Sequence, residues 1–326
     1  MPQLSVLIVG CGNIAGAFDL GRPASELPYT HAGAFKRDGR FSLDACVEPD
    51  EKRRLAFMDA WGISTGFSSI DDVADAGYHF DIISICSPTP CHAHDLETAL
   101  SLKPKLIFCE KPVTTSVLET ERLVEKCRKS NILLTVNYSR RFDPYIVKLK
   151  ADIEAGRWGQ LRSVVGIYNK GILNNGSHML DLLHLLVGQI KIVKVGQPIQ
   201  DFFPDDPTVP VWLETSQGIP VHIVSGHAGD FAIFELQLVF SLGVLTMEDG
   251  GMFWRERRTI NSTTFKGYRM LDEGIRRAGE YPAAMSKAVD NIYRSITQGA
   301  TLASTGESSL AAQKLCEQVK EFSITL

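Results

Sequence analysis

The chain has 326 residues, 44% hydrophobic and 22% charged, with a formal net charge of −4. That length exceeds what one hydrophobic core usually supports, so two domains are expected. The basic residues are scattered, the densest run being WRERR at 254–258, and no apolar run reaches the length of a membrane span. Both facts argue against nucleic acid or a membrane as the main partner.

The N-terminus, MPQLSVLIVG, lacks a basic leader and a cleavage site, and reads as a first strand instead of a signal peptide. LSVLIVG (4–10) is a continuous apolar run closed by glycine, as a strand buried on both faces requires. The signal repeats at FSLDACVE (41–48), FDIISICSP (80–88), KLIFCE (105–110) and ILLTVNY (132–138). Helical segments lie between these runs. In SVLETERLVEKCRKS, Ser116 and Glu119 form a capping box, and Lys126, Arg128 and Lys129 crowd the last turn. Strands alternating with helices predict parallel βαβ units and a doubly wound sheet.

Directly after the first strand stands Gly10-x-Gly12-x-x-Ala15. Glycine at 10 permits a tight turn, glycine at 12 lets backbone approach a pyrophosphate, and a small residue at 15 lets helix pack on strand. A helix starting there would offer free N–H groups and a positive dipole end to the anion. The stretch 17–29, AFDLGRPASELPY, reads as an insertion before the helix resumes at THAGAF. Glu48 ends the second strand, where a carboxylate can accept hydrogen bonds from ribose hydroxyls and repel a 2′-phosphate, favouring NAD. Lys52, Arg53 and Arg54 would suit that phosphate, so NADP stays open.

After about residue 140 the pattern changes. A helix is predicted over 144–155, then a Gly-rich turn, AGRWGQ. SVVGIYNK, VHIVSGH, FAIFELQLVF and GVLTMEDGG alternate in part, with hairpin turns at Leu242–Gly243 and Asp249–Gly251. Helices over 282–298 and 306–322 close the chain. The expected organisation is a doubly wound parallel Rossmann domain over 1–138. An α+β domain on an open, mostly antiparallel sheet follows over 139–326, for substrate binding and oligomerisation. Seven dispersed cysteines without a Cys-x-x-Cys pair fit unpaired thiols in a reducing cytoplasm. Cys91, His92 and His94 lack a remote ligand set with zinc spacing, so no metal is expected.

The glycine motif, SPTPCHAH after the third of these runs, EKP (110–112) after the fourth and NYSRRFDP after the fifth occur in one order. With AGRWGQL and GSHMLDLLHLLVG (176–188), that series resembles the glucose–fructose oxidoreductase / inositol dehydrogenase / rhizopine catabolism (Gfo/Idh/MocA) family. The resemblance implies an NAD(P)-dependent oxidoreductase acting on a secondary carbon of a sugar, cyclitol or nucleotide-sugar. It implies cofactor contacts at Gly10, Gly12, Asn13, Ile14, Glu48, Ser87, Pro88, His92, Glu110 and Lys111. Capping the following helix is the equal alternative for His92. Lys111 is expected to hydrogen-bond the reacting oxygen, with Pro112 fixing its backbone through a cis peptide bond.

His178 aligns with the family's acid/base histidine. The family's aspartate four residues earlier is here Asn174, an amide that holds no proton. Asp181 is expected to be structural. Lys170, Asn174 and Asn175 are expected to read sugar hydroxyls or an anionic substituent. Tyr138 and Arg141 fall where the family joins its domains near the site, and Arg141 alternatively ties those domains together. The insertion and the NNGSHMLDLL run resemble family members that make unusual surface sugars, and that resemblance leans the substrate towards an amino-sugar or nucleotide-activated sugar of surface-polysaccharide biosynthesis. The alternative is a non-catalytic cofactor-binding sensor, and a lyase or hydrolase using NAD transiently is a third reading. The resemblance implies a homodimer or homotetramer, since the family's open second sheet packs face to face between subunits.

Overall fold

In the computed structural model, residues 3–23 and 25–324 are described. Ala24 of the inserted stretch and the extreme ends of the two expected domains lie outside the described residues. The chain divides into two compact units. One runs up to Phe142 and includes Pro282–Leu310; the other comprises Asp143–Tyr281 and the chain from Ala311 onward.

Among the described residues, the first unit contains six strands: β1 (Leu4–Val9), β2 (Phe41–Val47), β3 (Thr65–Phe67), β4 (Ile82–Ile85), β5 (Leu106–Cys109) and β6 (Leu133–Val136). Their order is β3-β2-β1-β4-β5-β6, and every neighbouring pair is parallel. This is the doubly wound sheet that the sequence predicts. Helices α1 (His31–Asp38), α2 (Glu51–Trp61), α3 (Ile70–Asp75), α4 (His92–Ser101) and α5 (Val117–Lys129) connect the strands. β4 and β5 are buried at every position. Covering a parallel sheet on both faces demands such side chains, and each buried Ile or Leu contributes about 1.5–3 kcal/mol. On α5 the Ser116 half of the capping box forms, its side chain accepting the Glu119 N–H at 3.5 Å. Helix α8 (Ala284–Gln298) packs in the same unit: the Arg40 guanidinium donates to Asp290 at 3.0 Å, and Phe41 lies edge-on to Tyr293.

The inserted stretch and the helix resuming at THAGAF are as expected, but the glycine motif itself does not open a helix. No long helix follows the glycine motif. The chain makes one turn, with the N–H groups of Ala17 and Phe18 donating to the carbonyls of Gly12 and Asn13, then a 3₁₀ turn over Ala17–Asp19. Gly21, at φ 73°, and Pro23 carry it outward. Helix α1 begins at His31, where the N–H groups of His31 and Ala32 donate to the carbonyls of Ile14 and Ala15 at 3.2 and 2.8 Å. The excursion thus interrupts one helical path and returns to it. Its base is closed by the buried Asp19 carboxylate, which accepts the Tyr29 N–H, the Thr30 N–H and the Thr30 hydroxyl. Thr30 then caps α1 by accepting the Gly33 N–H at 3.1 Å.

The second unit is built on a nine-stranded sheet of the described residues, ordered β16-β15-β14-β13-β7-β12-β11-β8, with β17 on β15. Its strands are β7 (Leu161–Tyr168), β8 (Ile190–Val195), β11 (Val211–Thr215), β12 (Pro220–Ser225), β13 (Phe234–Phe240), β14 (Gly243–Glu248), β15 (Phe253–Asn261), β16 (Arg269–Leu271) and β17 (Ile275–Ala278). β7 and β12 are parallel and the other pairs antiparallel, the mixed, mostly antiparallel sheet that was expected. Two hairpin turns fall where the sequence places them, between β13 and β14 and at Asp249–Gly251. Alternation sorts the faces: Val211 and Leu213 are buried, while Trp212 between them is 44% exposed. Helices α6 (Pro144–Glu154), α7 (Ser177–Val187) and α9 (Gly306–Ile324) contribute to the core through Ile146, Leu149, Leu182, Leu183 and Val319. A small hairpin, β9 (Ile199–Phe203) and β10 (Asp206–Thr208), stands apart from the large sheet.

Candidate active site

The cofactor candidates gather at the carboxyl ends of β1, β2, β4 and β5, the edge where open parallel sheets bind ligands. Gly10 has φ 86°, and a Cβ there would lie 2.6 Å from the Ser87 backbone nitrogen, so the loops after β1 and β4 touch through a residue without a side chain. Gly12 differs. A Cβ on it would meet nothing within 4 Å, leaving its face open for an approaching group. Asn13 is exposed beside it, Ile14 is half-buried, and Ala15 is fully buried under the turn. The amides next to the cradle belong to this turn and not to a helix N-terminus, because the first N–H groups of α1 are already bonded to Ile14 and Ala15.

Glu48 lies one residue beyond β2, 5% exposed. Its carboxylate accepts the Cys11 N–H at 3.1 Å and the Asp50 N–H at 3.2 Å, with the Arg53 guanidinium at 3.5 Å. The acid is therefore tied to the glycine loop itself. A turn of open-faced glycine beside a fixed carboxylate suits a dinucleotide's pyrophosphate and ribose.

After β4, the Ser87 hydroxyl donates to Asp95 at 2.5 Å, and burial raises the Asp95 carboxyl. Pro88 starts the short turn that leads into α4. His92 opens α4 and is 1% exposed. Its ring nitrogens lie 2.8 Å from the Ser87 carbonyl and 2.9 Å from the Pro112 carbonyl, so it ties two loops together. His94 instead pairs with Asp71 at the surface. Among the described residues no group of three or more His, Cys, Asp or Glu side chains is arranged to hold a metal ion.

After β5 comes Glu110-Lys111-Pro112, with a cis peptide bond between Lys111 and Pro112. Lys111 is half-buried. The Glu110 carboxylate accepts the Lys111 backbone N–H at 3.3 Å and the Asn137 side-chain amide at 2.6 Å, and it pairs with His31 at 2.9 Å. His31 is fully buried, and its other ring nitrogen lies 2.8 Å from the Ser84 hydroxyl. Burial alone would depress the His31 pKa; neighbouring Cys86 and the Glu110 carboxylate outweigh it and raise it to about 10. Burial likewise works against the Glu110 anion, but hydrogen bonding and charge from His31, with Asn137 and Lys111, hold its pKa below the ordinary 4.5. The sequence reading missed His31, Ser84 and Asn137. His31 and Ser84 belong to no motif, Asn137 opens NYSRRFDP without being singled out there, and the cluster meets across intervals of up to 106 residues.

Tyr138 follows β6 and is 1% exposed. Arg141 is buried and donates to the Ala303 carbonyl at 3.4 Å, inside the first unit.

Lys170, Asn174, Asn175 and His178 come together in the second unit. Lys170 adopts the left-handed conformation, φ 65°, at the start of a π-helical turn over Gly171–Gly176 that runs into α7. Its ammonium stands 5.1 Å over the Phe202 ring. Asp201 accepts the Lys170 N–H, and Asp206 accepts those of Leu173 and Asn174 at 2.8 and 2.9 Å. Two carboxylates of the β9–β10 hairpin thus satisfy the donors that begin this turn, as caps do. The Asn174 amide donates to the Lys170 carbonyl at 3.2 Å. Asn175 and His178 are half-buried, and Asp181 is 1% exposed. Asp201 and Asp206 also escaped sequence reading, since they lie in a stretch without clear periodicity.

Residues 4–138 match the model of an oxidoreductase family described by its NAD-binding Rossmann fold. An inositol 2-dehydrogenase of Rhizobium meliloti is 24% identical over 320 residues, covering 90% of this chain and 93% of that protein. An uncharacterized oxidoreductase of Bacillus subtilis, YrbE, is 46% identical over 79 residues, 24% of this chain and 23% of its own length. Among solved structures, the WlbA dehydrogenase of Bordetella pertussis, in complex with NADH and UDP-GlcNAcA, aligns with a TM-score of 0.77 at 18% identity, over 99% of this chain and 97% of that one. Residues 4–138, with their glycine turn and Glu-Lys-Pro segment, thus form an NAD-binding Rossmann domain of the Gfo/Idh/MocA oxidoreductase family, and the chain as a whole is similar to an inositol 2-dehydrogenase.

Proposed function

We propose that the protein is an NAD-dependent dehydrogenase or reductase that moves hydride between nicotinamide and a secondary hydroxyl or ketone of a sugar or cyclitol. An amino-sugar or nucleotide-activated sugar of surface-polysaccharide biosynthesis is the favoured substrate class, with NADP the alternative cofactor. The observation that carries the reading is Lys111, held on a clamped turn at the carboxyl end of β5, the same sheet edge as the glycine cradle. The likeness to a dehydrogenase solved with NADH and a UDP-sugar supports the substrate class.

Bound NAD supplies the hydride acceptor or donor. The chain's own residues do the rest. Glu48 holds the ribose, and Gly10, Gly12, Asn13 and Ile14 cradle the pyrophosphate. Ser87, Pro88 and Glu110 shape the wall of the cofactor site, and His92 fixes its loops. The Lys111 ammonium stabilises the developing negative charge on the reacting oxygen. His178 exchanges the hydroxyl proton, and Tyr138, Arg141, Lys170, Asn174 and Asn175 belong to the substrate's surroundings. In this reading the division at 138/139 separates cofactor from substrate functions, and the protein works in the cytoplasm. Its exposed sheet residues Val193, Trp212 and Val224 pack against a second copy; light scattering at micromolar concentration checks this, and a strictly monomeric mass would refute it.

Mixing the protein with NAD or NADP and a panel of free, amino- and nucleotide-activated sugars, followed at the nicotinamide absorbance, tests the function. Reduction with one substrate class supports it; confirmed NADH binding without turnover, beside a stable protein partner, would favour a sensor instead. Asn174, whose amide faces the Lys170 carbonyl, is the observation on that side. Glu48→Ala is expected to weaken NAD about tenfold, the value of one charged hydrogen bond, and to narrow its preference over NADP. Unchanged NAD affinity, with NADP binding more tightly, would overturn the assignment. His178→Ala is expected to remove one limb of the pH–rate profile, and an unaltered profile would exclude the acid/base role.

A further inference from the structure

The loop that carries Lys111 is held from below by a buried polar cluster contributed by four separate segments. His31 comes from the first residue of α1, Ser84 from β4, Glu110 from the end of β5 and Asn137 from the end of β6. Glu110 divides its oxygens. Oε1 receives Asn137 at 2.6 Å and pairs with His31 at 2.9 Å, while Oε2 accepts the Lys111 backbone N–H at 3.3 Å. His31 is 0% exposed and packs at a tilt against Phe108, ring centroids 4.3 Å apart, and that packing holds it toward the carboxylate. The far side of the loop is pinned as well, because a His92 ring nitrogen lies on the Pro112 carbonyl.

A buried charge pair is seldom the cheapest way to stabilise a fold, since desolvation offsets most of the attraction. Leu or Met would fill this space at less cost. What an apolar side chain cannot do is accept the Lys111 N–H and hold its acceptor at fixed distance. We propose that the His31–Glu110 pair, completed by Ser84 and Asn137, is a positioning device that aims Lys111 at the reacting oxygen by fixing the backbone of the Glu110-Lys111-Pro112 turn. This deepens the function proposed above and rests on it for the role of Lys111. His31, Glu110 and Asn137 are positioning residues. They touch the Lys111 turn, and the substrate meets only the lysine.

The test is a double-mutant cycle of His31→Gln, Glu110→Gln and the double variant. It is read by kcat and KM on whichever sugar the wild type turns over, by NADH affinity from fluorescence, and by the denaturation midpoint. If the pair acts as one unit, each single variant lowers kcat about 30-fold with KM within about threefold, His31→Gln leaves NADH affinity within about threefold, and the double variant falls no further than the worse single. Independent roles would multiply to about 1,000-fold, and a single variant with kcat within twofold of wild type would show that the pair positions nothing; either result overturns the proposal.

A second readout does not depend on turnover. The rate at which pyridoxal phosphate and borohydride label Lys111, mapped by mass spectrometry, should change severalfold in His31→Gln while the other lysines label as in wild type. An unchanged Lys111 rate refutes the positioning role even when no substrate is known. A changed rate in a protein inactive on every sugar would retain it and discard the reaction instead. Should His31→Gln fail to fold, Asn137→Ser removes one donor to the same carboxylate. It is expected to lower kcat about fivefold at unchanged NADH affinity, and no change in kcat would count against the device.

Discussion

Lys111→Ala is expected to lower turnover about 1,000-fold while NADH affinity stays within a few-fold. The size follows from what the ammonium is asked to do. One preorganised charge at the site of developing alkoxide is worth roughly 10²–10³ in rate, and the expected loss lies at the top of that range. In the proposed function the dinucleotide is held mainly by other atoms, those of the glycine turn and the Glu48 carboxylate bonded to it, which Ala at 111 leaves in place. Single-turnover absorbance with a saturating sugar, beside a fluorescence titration with NADH, separates the two quantities. Near-normal turnover would remove Lys111 from the chemistry, and a parallel loss of NADH affinity would mean that the turn had collapsed.

The second large effect is on folding. Gly10→Ala is expected to destabilise the first unit by about 3 kcal/mol and to abolish NADH binding. A left-handed backbone costs any L-residue about 1–2 kcal/mol, and the new methyl must find space where Ser87 and Cys86 backbone atoms stand within 2.8 Å. Backbone cannot retreat as a flexible side chain does. Gly12→Ala is the control, because its methyl enters open space: stability stays within about 1 kcal/mol of wild type while NADH affinity falls. Chemical denaturation of the two variants decides the matter, and a Gly10→Ala protein as stable as wild type would refute the close approach of the two loops.

These two positions also mark how far the sequence could be read. The runs around Val6–Val9, Ile82–Ile85 and Leu106–Cys109 announced a parallel sheet because strands covered on both faces have no polar side to show. Glu110-Lys111-Pro112 stood out because charged residues seldom end such a strand. β3 passed unnoticed, being three half-buried residues with Gly66 at its centre. The excursion over 17–29 and the helix at THAGAF were legible, but its closure depends on Asp19, and nothing adjacent to a single buried aspartate reveals that it will bind three donors. His31 and Asn137 were hidden for the same reason: their partner, Glu110, is 79 and 27 residues away. In the second unit, alternation located β7, β12, β13 and β14. The β9–β10 hairpin gave no such signal, because it works through Asp201 and Asp206 at the start of a π-helical turn and not through an apolar face.

The excursion between Ile14 and His31 leaves and re-enters the fold at adjacent points, stitched by the His31 and Ala32 amides. Its length is thereby decoupled from the cradle it interrupts. Doubling a closed loop costs only about 0.6 kcal/mol in closure entropy, so the segment behaves as an interchangeable cassette. Residues can be added, removed or exchanged between those stitches to reshape the rim beside the glycine turn, while the spacing of the strands beneath stays as it is.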